Sequence, residues 1–264
     1  MRNLSMDALC EKIGNAVSKQ AISKYEKGES LPGSQILILL SQALDVKPDY
    51  FFRESQFAIS NIEFRKKAKM GVKEVEAIKE EIRDIIERYL EIEDVWGCVP
   101  SFANPVKEML VVSDDDVCEV VKRLKEAWNI GEDGILSVTD LLESKNIKVV
   151  EIKADSSFDG LSGYVNNDEN MPFVVVNKSF DVERLRFTGL HELGHLVMNL
   201  PEEMEKKDKE RLCNLFASEM LISRDIFVDV LGERRSDISL QELKVLQAVY
   251  GISVDALMFK AKTV

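Results

Sequence analysis

Hydrophobic and polar positions divide the chain into a helical start, a long charged helix and a mixed end. Between residues 5 and 52 the apolar residues come in short bursts separated by Gly and Pro. Ser5 can cap a helix running through Leu9 to Ile13 and stopped by Gly14. Ser18 can cap a second from Lys19 to Lys27, closed by Gly28. Ser34 opens a third, with Ile36, Leu37, Leu40, Ala43 and Leu44 as an apolar stripe, and Asp49 to Phe52 make a final apolar turn. Over residues 72–95, Val72, Val75, Ile78, Ile82, Ile85, Tyr89 and Ile92 recur at steps of three and four. Such a helix packs one face on a neighbour or serves as a spacer or dimerisation helix, so a homodimer is one assembly it allows.

Residues 96–112 carry Gly97, Pro100 and Pro105 and read as a loop. Asp114 to Asn129 and Ser137 to Ser144 read as helices. Ile147 to Ile152 alternates as a strand, Gly163 to Val165 is a second candidate, and Phe173 to Val176 is a third, buried on both faces. Helices resume over residues 181–199 and 205–221 and near Leu240 to Tyr250. The expected fold class is α+β, an all-α domain followed by helices around a small β-sheet.

Charge sharpens the division. Residues 1–69 hold 11 Lys and Arg against 8 Asp and Glu, net +3, and the remainder holds 24 against 39, net −15. The first segment can approach nucleic acid and the rest would be repelled by it. We expect domains at residues 1–53 and 111–264, joined by a linker over 54–110 that contains the long helix. The sequence shows neither a signal-peptide h-region nor an apolar run of spanning length, which disfavours secretion and a membrane partner. Cys10, Cys98, Cys118 and Cys213 are scattered without a C-x-x-C pair, as reduced thiols of a cytoplasmic protein would be.

The two histidines of the chain, His191 and His195, lie in one H-E-x-x-H pentapeptide. On a helix, imidazoles at i and i+4 share a face and can grip one zinc ion, with Glu192 placed to deprotonate a water held there. A third ligand must then be a carboxylate or cysteine. Glu202, Glu203, Glu205, Asp208, Glu210, Cys213 and Glu219 are candidates. Glu210 is favoured because it shares a helical face with Asn214 and Ala217. Asn214 could hold a ligand histidine in its tautomer, and Ala217 would let two helices approach. Zinc would polarise a scissile carbonyl, and Glu192 would carry the proton to the leaving amine. Tyr164, with Arg184 and Arg186 behind it, is the candidate for steadying the oxyanion.

The run from Glu183 to His195, followed by Glu210, Cys213, Asn214, Phe216 and Ala217, resembles the ImmA/IrrE family of metallopeptidases. Phe158 to Gly163 and Val174 to Asn177 are similar to it as well. The resemblance spans residues 110–260. It implies a thermolysin-like (gluzincin) domain with His191, His195 and Glu210 as zinc ligands and Glu192 as base. Family members cut, or trigger removal of, a helix-turn-helix repressor, which makes such a protein the expected substrate. Three positions depart from the family. Asn199 stands where many members have another histidine, Ile222 to Arg224 stand where many have a proline, and longer relatives extend past the equivalent of Val264.

Residues 1–53 resemble the XRE/Cro type of helix-turn-helix domain through Leu4 to Gly14, Val17 to Gly28, Pro32 and the helix from Leu37 to Val46. The resemblance makes Ser18 to Lys27 the recognition helix. Gln20 would read adenine, and Ser18, Lys19, Ser23 and Lys24 would offer phosphate and base contacts. The family's first helix would precede Leu4, where three residues stand, so a truncated start is expected. Together the two resemblances imply a regulatory zinc endopeptidase with a DNA-binding module. The alternative is a DNA-binding regulator or antitoxin whose peptidase domain serves as a sensor or binding module.

Overall fold

The computed structural model describes residues 4–52, 59–60, 72–97, 101–165, 168–232, 235 and 237–263. The first three residues, Cys98 and Val264 therefore lie outside the described residues. Two compact units emerge, residues 1–56 with 71–81 and residues 57–70 with 82–264.

The first unit is built from α1 (Met6–Lys12), α2 (Lys19–Glu26), α3 (Ser34–Leu44) and a 3-10 turn (Pro48–Phe52). The caps fall where the sequence places them. The Ser5 hydroxyl accepts the Ala8 N–H at 3.1 Å and the Ser18 hydroxyl accepts that of Ala21 at 3.3 Å. Gly14 and Gly28 end α1 and α2 with φ of +67° and +69°, a backbone that disfavours any side chain. Cys10, Ile13, Ile22 and Leu40 form the buried centre, and Leu9, Val17, Ile36 and Phe51 pack around it.

The long helix α4 (Val72–Val95) contributes to both units. Its buried line runs Val75, Ile78, Ile82, Ile86 and Leu90. The sequence stripe departs from this line after Ile82, since Ile92 is exposed and Ile86 and Leu90 are inward. Repeated steps of four turn the line by about 40° each, whereas alternating threes and fours drift only about 20° per seven residues.

In the second unit, β1 (Ile59–Ser60), β2 (Lys148–Ile152), β3 (Gly160–Val165) and β4 (Pro172–Asn177) form a sheet in the order β1-β3-β4-β2. β4 runs parallel to β2 and antiparallel to β3, and β1 pairs antiparallel with β3 through Ile59 with Val165 and Ser60 with Tyr164. All six residues of β4 are buried, which explains the unbroken apolar run from Phe173 to Val176. α5 (Asp114–Trp128) starts with a capping box between Ser113 and Asp116. After α6 (Val138–Ser144), α7 (Val182–Val197) lies on the sheet and α8 (Lys206–Leu221) crosses α7. α9 (Arg224–Leu231), α10 (Leu240–Tyr250) and α11 (Val254–Thr263) complete the unit. α9 and α11 are too short to show a helical period in the sequence, yet each is opened by a serine, Ser223 and Ser253, accepting an N–H three residues on.

One polar pair sits inside this packing. Lys260 of α11 is 3% exposed and its ammonium donates to Glu219 of α8, which is 4% exposed. The other Glu219 oxygen accepts the Arg224 N–H at 2.8 Å. Burial pushes the Lys260 ammonium below its ordinary range, and the Glu219 charge opposes that push. Removing one partner would strand a charge, so Glu219→Ala should lower unfolding free energy by about 3–5 kcal/mol. The double replacement Glu219→Met with Lys260→Met should cost far less. Urea denaturation of the three proteins measures both.

Candidate metal centre

α7 places His191 and His195 one turn apart on the face that α8 crosses, with ring centroids 5.1 Å apart. The crossing is close because Gly194 faces Phe216. A Cβ at Gly194 would stand 3.1 Å from the Phe216 ring, tighter than side chains normally tolerate. Early in α8, Glu210 therefore arrives opposite both rings. Its carboxylate oxygens are 3.6 Å from His191 Nε2 and 3.9 Å from His195 Nε2. The three residues can each offer one ligand atom, all within 4.8 Å of one another, and they form a group of metal-ligand type among the described residues.

The donor set fits a metal on an observation of its own. His191 Nε2 is fully buried and has no hydrogen-bond partner among the described residues. Such a nitrogen keeps a desolvation cost that a metal bond would offset. Two imidazoles and a carboxylate are the donors that zinc takes in catalytic sites with one position left open. Ligand atoms around one zinc ion stand roughly 3.3 Å apart, so the observed spacings need little closure.

Glu192 points from α7 towards β3 and is 3% exposed. The Ser162 hydroxyl donates to Glu192 Oε2 at 2.9 Å. Two residues along the strand, the Tyr164 hydroxyl donates to the Leu196 carbonyl at 3.1 Å. Two strand residues advance about 6.6 Å and four helix residues about 6 Å, so β3 and α7 stay in step over this stretch. Gly160 begins the same strand, and a Cβ there would meet Thr188 Cγ2 at 2.6 Å and the Val175 carbonyl at 2.7 Å. A cavity of about 500 Å³ is lined by His195, Tyr164, Asn104, Lys107 and Asn199 and gives the cluster a polar approach.

Several expected residues stand elsewhere. Asn214 is exposed and lines a second cavity, on another side of α8, instead of buttressing a histidine. A step of four residues turns an α-helix by 400°, so Asn214 is swung 40° from Glu210. Arg184 pairs with Asp159 at 2.5 Å and lies over the Phe180 ring, and Arg186 donates to the carbonyls of Ile135, Leu136 and Tyr250. Neither guanidinium stands behind Tyr164. Cys213 is fully buried and outside the metal-type group.

In the N-terminal unit, Ser18 is spent on the α2 cap and Lys19 pairs with Asp7 at 2.6 Å. Gln20 and Lys24 are exposed, Ser23 is half-buried, and Ile22 is buried beneath them.

Residues 1–51 match the family described as Helix-turn-helix, and residues 142–262 match the family described as IrrE N-terminal-like domain, Peptidase_M78. The chain joins a helix-turn-helix domain to an IrrE N-terminal-like domain. A 53-residue stretch, 20% of this chain, is also 45% identical to an uncharacterized HTH-type transcriptional regulator, y4aM, of Sinorhizobium fredii. That match spans 36% of the relative's length. Among the described residues, no helix is long and apolar enough to cross a membrane.

Within the IrrE-like domain, Ser162 is the residue that sequence reasoning passed over. The available signal was a serine between glycines and apolar residues of the strand, two residues from Tyr164. Two measurements follow. Metal analysis of the IrrE-like domain in the full chain should return about one zinc per chain, and Glu210→Ala should lower that occupancy sharply while the fold, read by circular dichroism, persists. For the helix-turn-helix domain, Gln20→Ala and Lys24→Ala should each weaken binding to its DNA, and Lys24→Ala should reduce the salt slope by about one. Fluorescence anisotropy across a salt series measures this.

Proposed function

We propose that the IrrE-like domain is a zinc-dependent endopeptidase and that the helix-turn-helix domain ties it to a regulatory task at DNA. Its expected substrate is a protein, a transcriptional repressor being the class that the fused domains favour. The observation that carries this reading is the convergence of His191, His195 and Glu210 around a buried histidine nitrogen that has no hydrogen-bond partner among the described residues.

A zinc ion held by these three residues would supply Lewis acidity to the scissile carbonyl and to the attacking water. Glu192 supplies the base. Ser162 fixes one carboxylate oxygen, so the carboxylate keeps one orientation while it accepts the water proton. As the C–N bond breaks, the same carboxylate delivers that proton to the departing amine nitrogen. Burial, with the charge of Glu169 adding to it, raises the Tyr164 phenol above its ordinary range, which keeps it a hydrogen-bond donor. Tyr164 can serve the oxyanion by exchanging its present bond to the Leu196 carbonyl for one to substrate.

A second reading is favoured by the match to a protein named as a transcriptional regulator. In it, the chain regulates through DNA, and the IrrE-like domain senses or binds without cutting. Comparing new protein N-termini in cells that produce the native chain or Glu192→Gln separates the two. Cleavage products should appear with the native chain and fall by about 10²–10⁴-fold with Glu192→Gln, while purified Glu192→Gln keeps its zinc. Equal cleavage by both proteins would remove the proposed base. No cleavage by either would favour the second reading.

A further inference from the structure

The edge of β3 that faces away from β4 is already in use. β1 lies along it, antiparallel, with Ile59 opposite Val165 and Ser60 opposite Tyr164. Main-chain groups of successive strand residues alternate between the two edges. The Val165 N–H donates to the Met171 carbonyl at 3.0 Å, on the β4 side. The N–H and C=O of Tyr164 therefore face β1, and those of Ser162 face the same way. Pro172, opposite Tyr164 on β4, agrees with this, since it has no N–H to give. Ser60 and Tyr164 are thus the pair that exchanges main-chain hydrogen bonds, and Ile59 and Val165 are a non-hydrogen-bonded pair.

β3 is also the strand that serves the metal centre. Its Ser162 hydroxyl holds Glu192 at 2.9 Å, and its Tyr164 lines one cavity together with His195. An extended protein segment is held by a row of main-chain partners, and a strand edge is such a row. Beside Glu192 that row is made by Ser162 and Tyr164, and Ser60 takes the Tyr164 half of it. β1 spans two residues, a ladder too short to hold by itself, so it leaves at small cost. Its covalent connections supply a means of control. Residues 57–70 belong to the compact unit that holds the metal centre, while residues 1–56 before them and 71–81 after them belong to the helix-turn-helix unit. A change in that unit reaches β1 through the chain at both ends.

We propose that β1 is a built-in competitor of the protein substrate: it occupies the edge of β3 on which an extended substrate segment would lie beside Glu192, and it must leave before cleavage begins. This regulation rests on the endopeptidase reading, so occupancy of the edge is measured apart from cleavage. The probe is a fluorescent peptide of residues 56–63 of this chain, added to full chains carrying Glu192→Gln and followed by anisotropy. Ser60→Pro removes the N–H offered to Tyr164 and should let the peptide bind at least about tenfold tighter than native Ser60 does. The Cα atoms of a non-hydrogen-bonded pair stand about 4.5 Å apart, within disulfide reach. Ile59→Cys with Val165→Cys, once oxidised, should therefore bind no peptide, and reduction with a phosphine should return it to the native level. With Glu192 restored and a cell extract as substrate, Ser60→Pro should raise the yield of new N-termini about tenfold, and the oxidised double variant should yield none. Peptide binding indifferent to both changes, or cleavage that oxidation leaves intact, would overturn the proposal. No cleavage by any of these chains, with peptide binding still graded as stated, would overturn the endopeptidase reading alone and leave the competition for the edge standing.

Discussion

The C-terminal domain depends on how closely α7 and α8 can cross. Gly194 removes the side chain that would collide with Phe216, and buried Ala217 keeps the contact thin on the other helix. That approach brings a carboxylate from one helix within 4 Å of two imidazoles on the other. A larger residue at Gly194 would part the helices, and Glu210 would be carried away although no histidine had changed. The metal-type cluster thus depends on an apolar contact that offers no ligand of its own.

β3 is the second constraint. Running in step with α7, it turns Ser162 and Tyr164 towards Glu192 and Leu196. Burial of Glu192 gives its carboxylate a fixed partner in place of water. The Ser162 hydroxyl therefore holds the carboxylate in one orientation.

Much of this was legible in the sequence where a local rule governs. Ser5, Ser18, Gly14 and Gly28 mark helix ends because capping and positive φ are decided within a few residues. The strand was legible over Phe173 to Val176 through its unbroken apolar run, since burial on both faces leaves no polar position there. The H-E-x-x-H run is local as well. What was not legible depends on rotation and on partners distant in sequence. Asn214 shares a nominal face with Glu210, but forty degrees of helix turn sends it to another cavity. Ile86 and Leu90, not Ile92, continue the buried line of α4, because successive steps of four turn it steadily around the helix. Ser162 could be matched to Glu192 only by knowing that β3 lies beside α7. Arg184 and Arg186 were misplaced for a similar reason, their partners being loop carbonyls and an aspartate far along the chain.

α8 is therefore shared by the metal-type cluster and a cavity. Glu210 and Arg211 are successive residues, one at the metal cluster and the other in the lining of that cavity. Anything that shifts or stiffens this helix from one side does so for the other. Thermodynamic linkage makes the coupling reciprocal: if an occupant of that cavity alters metal affinity by some factor, the metal alters that occupant's affinity by the same factor.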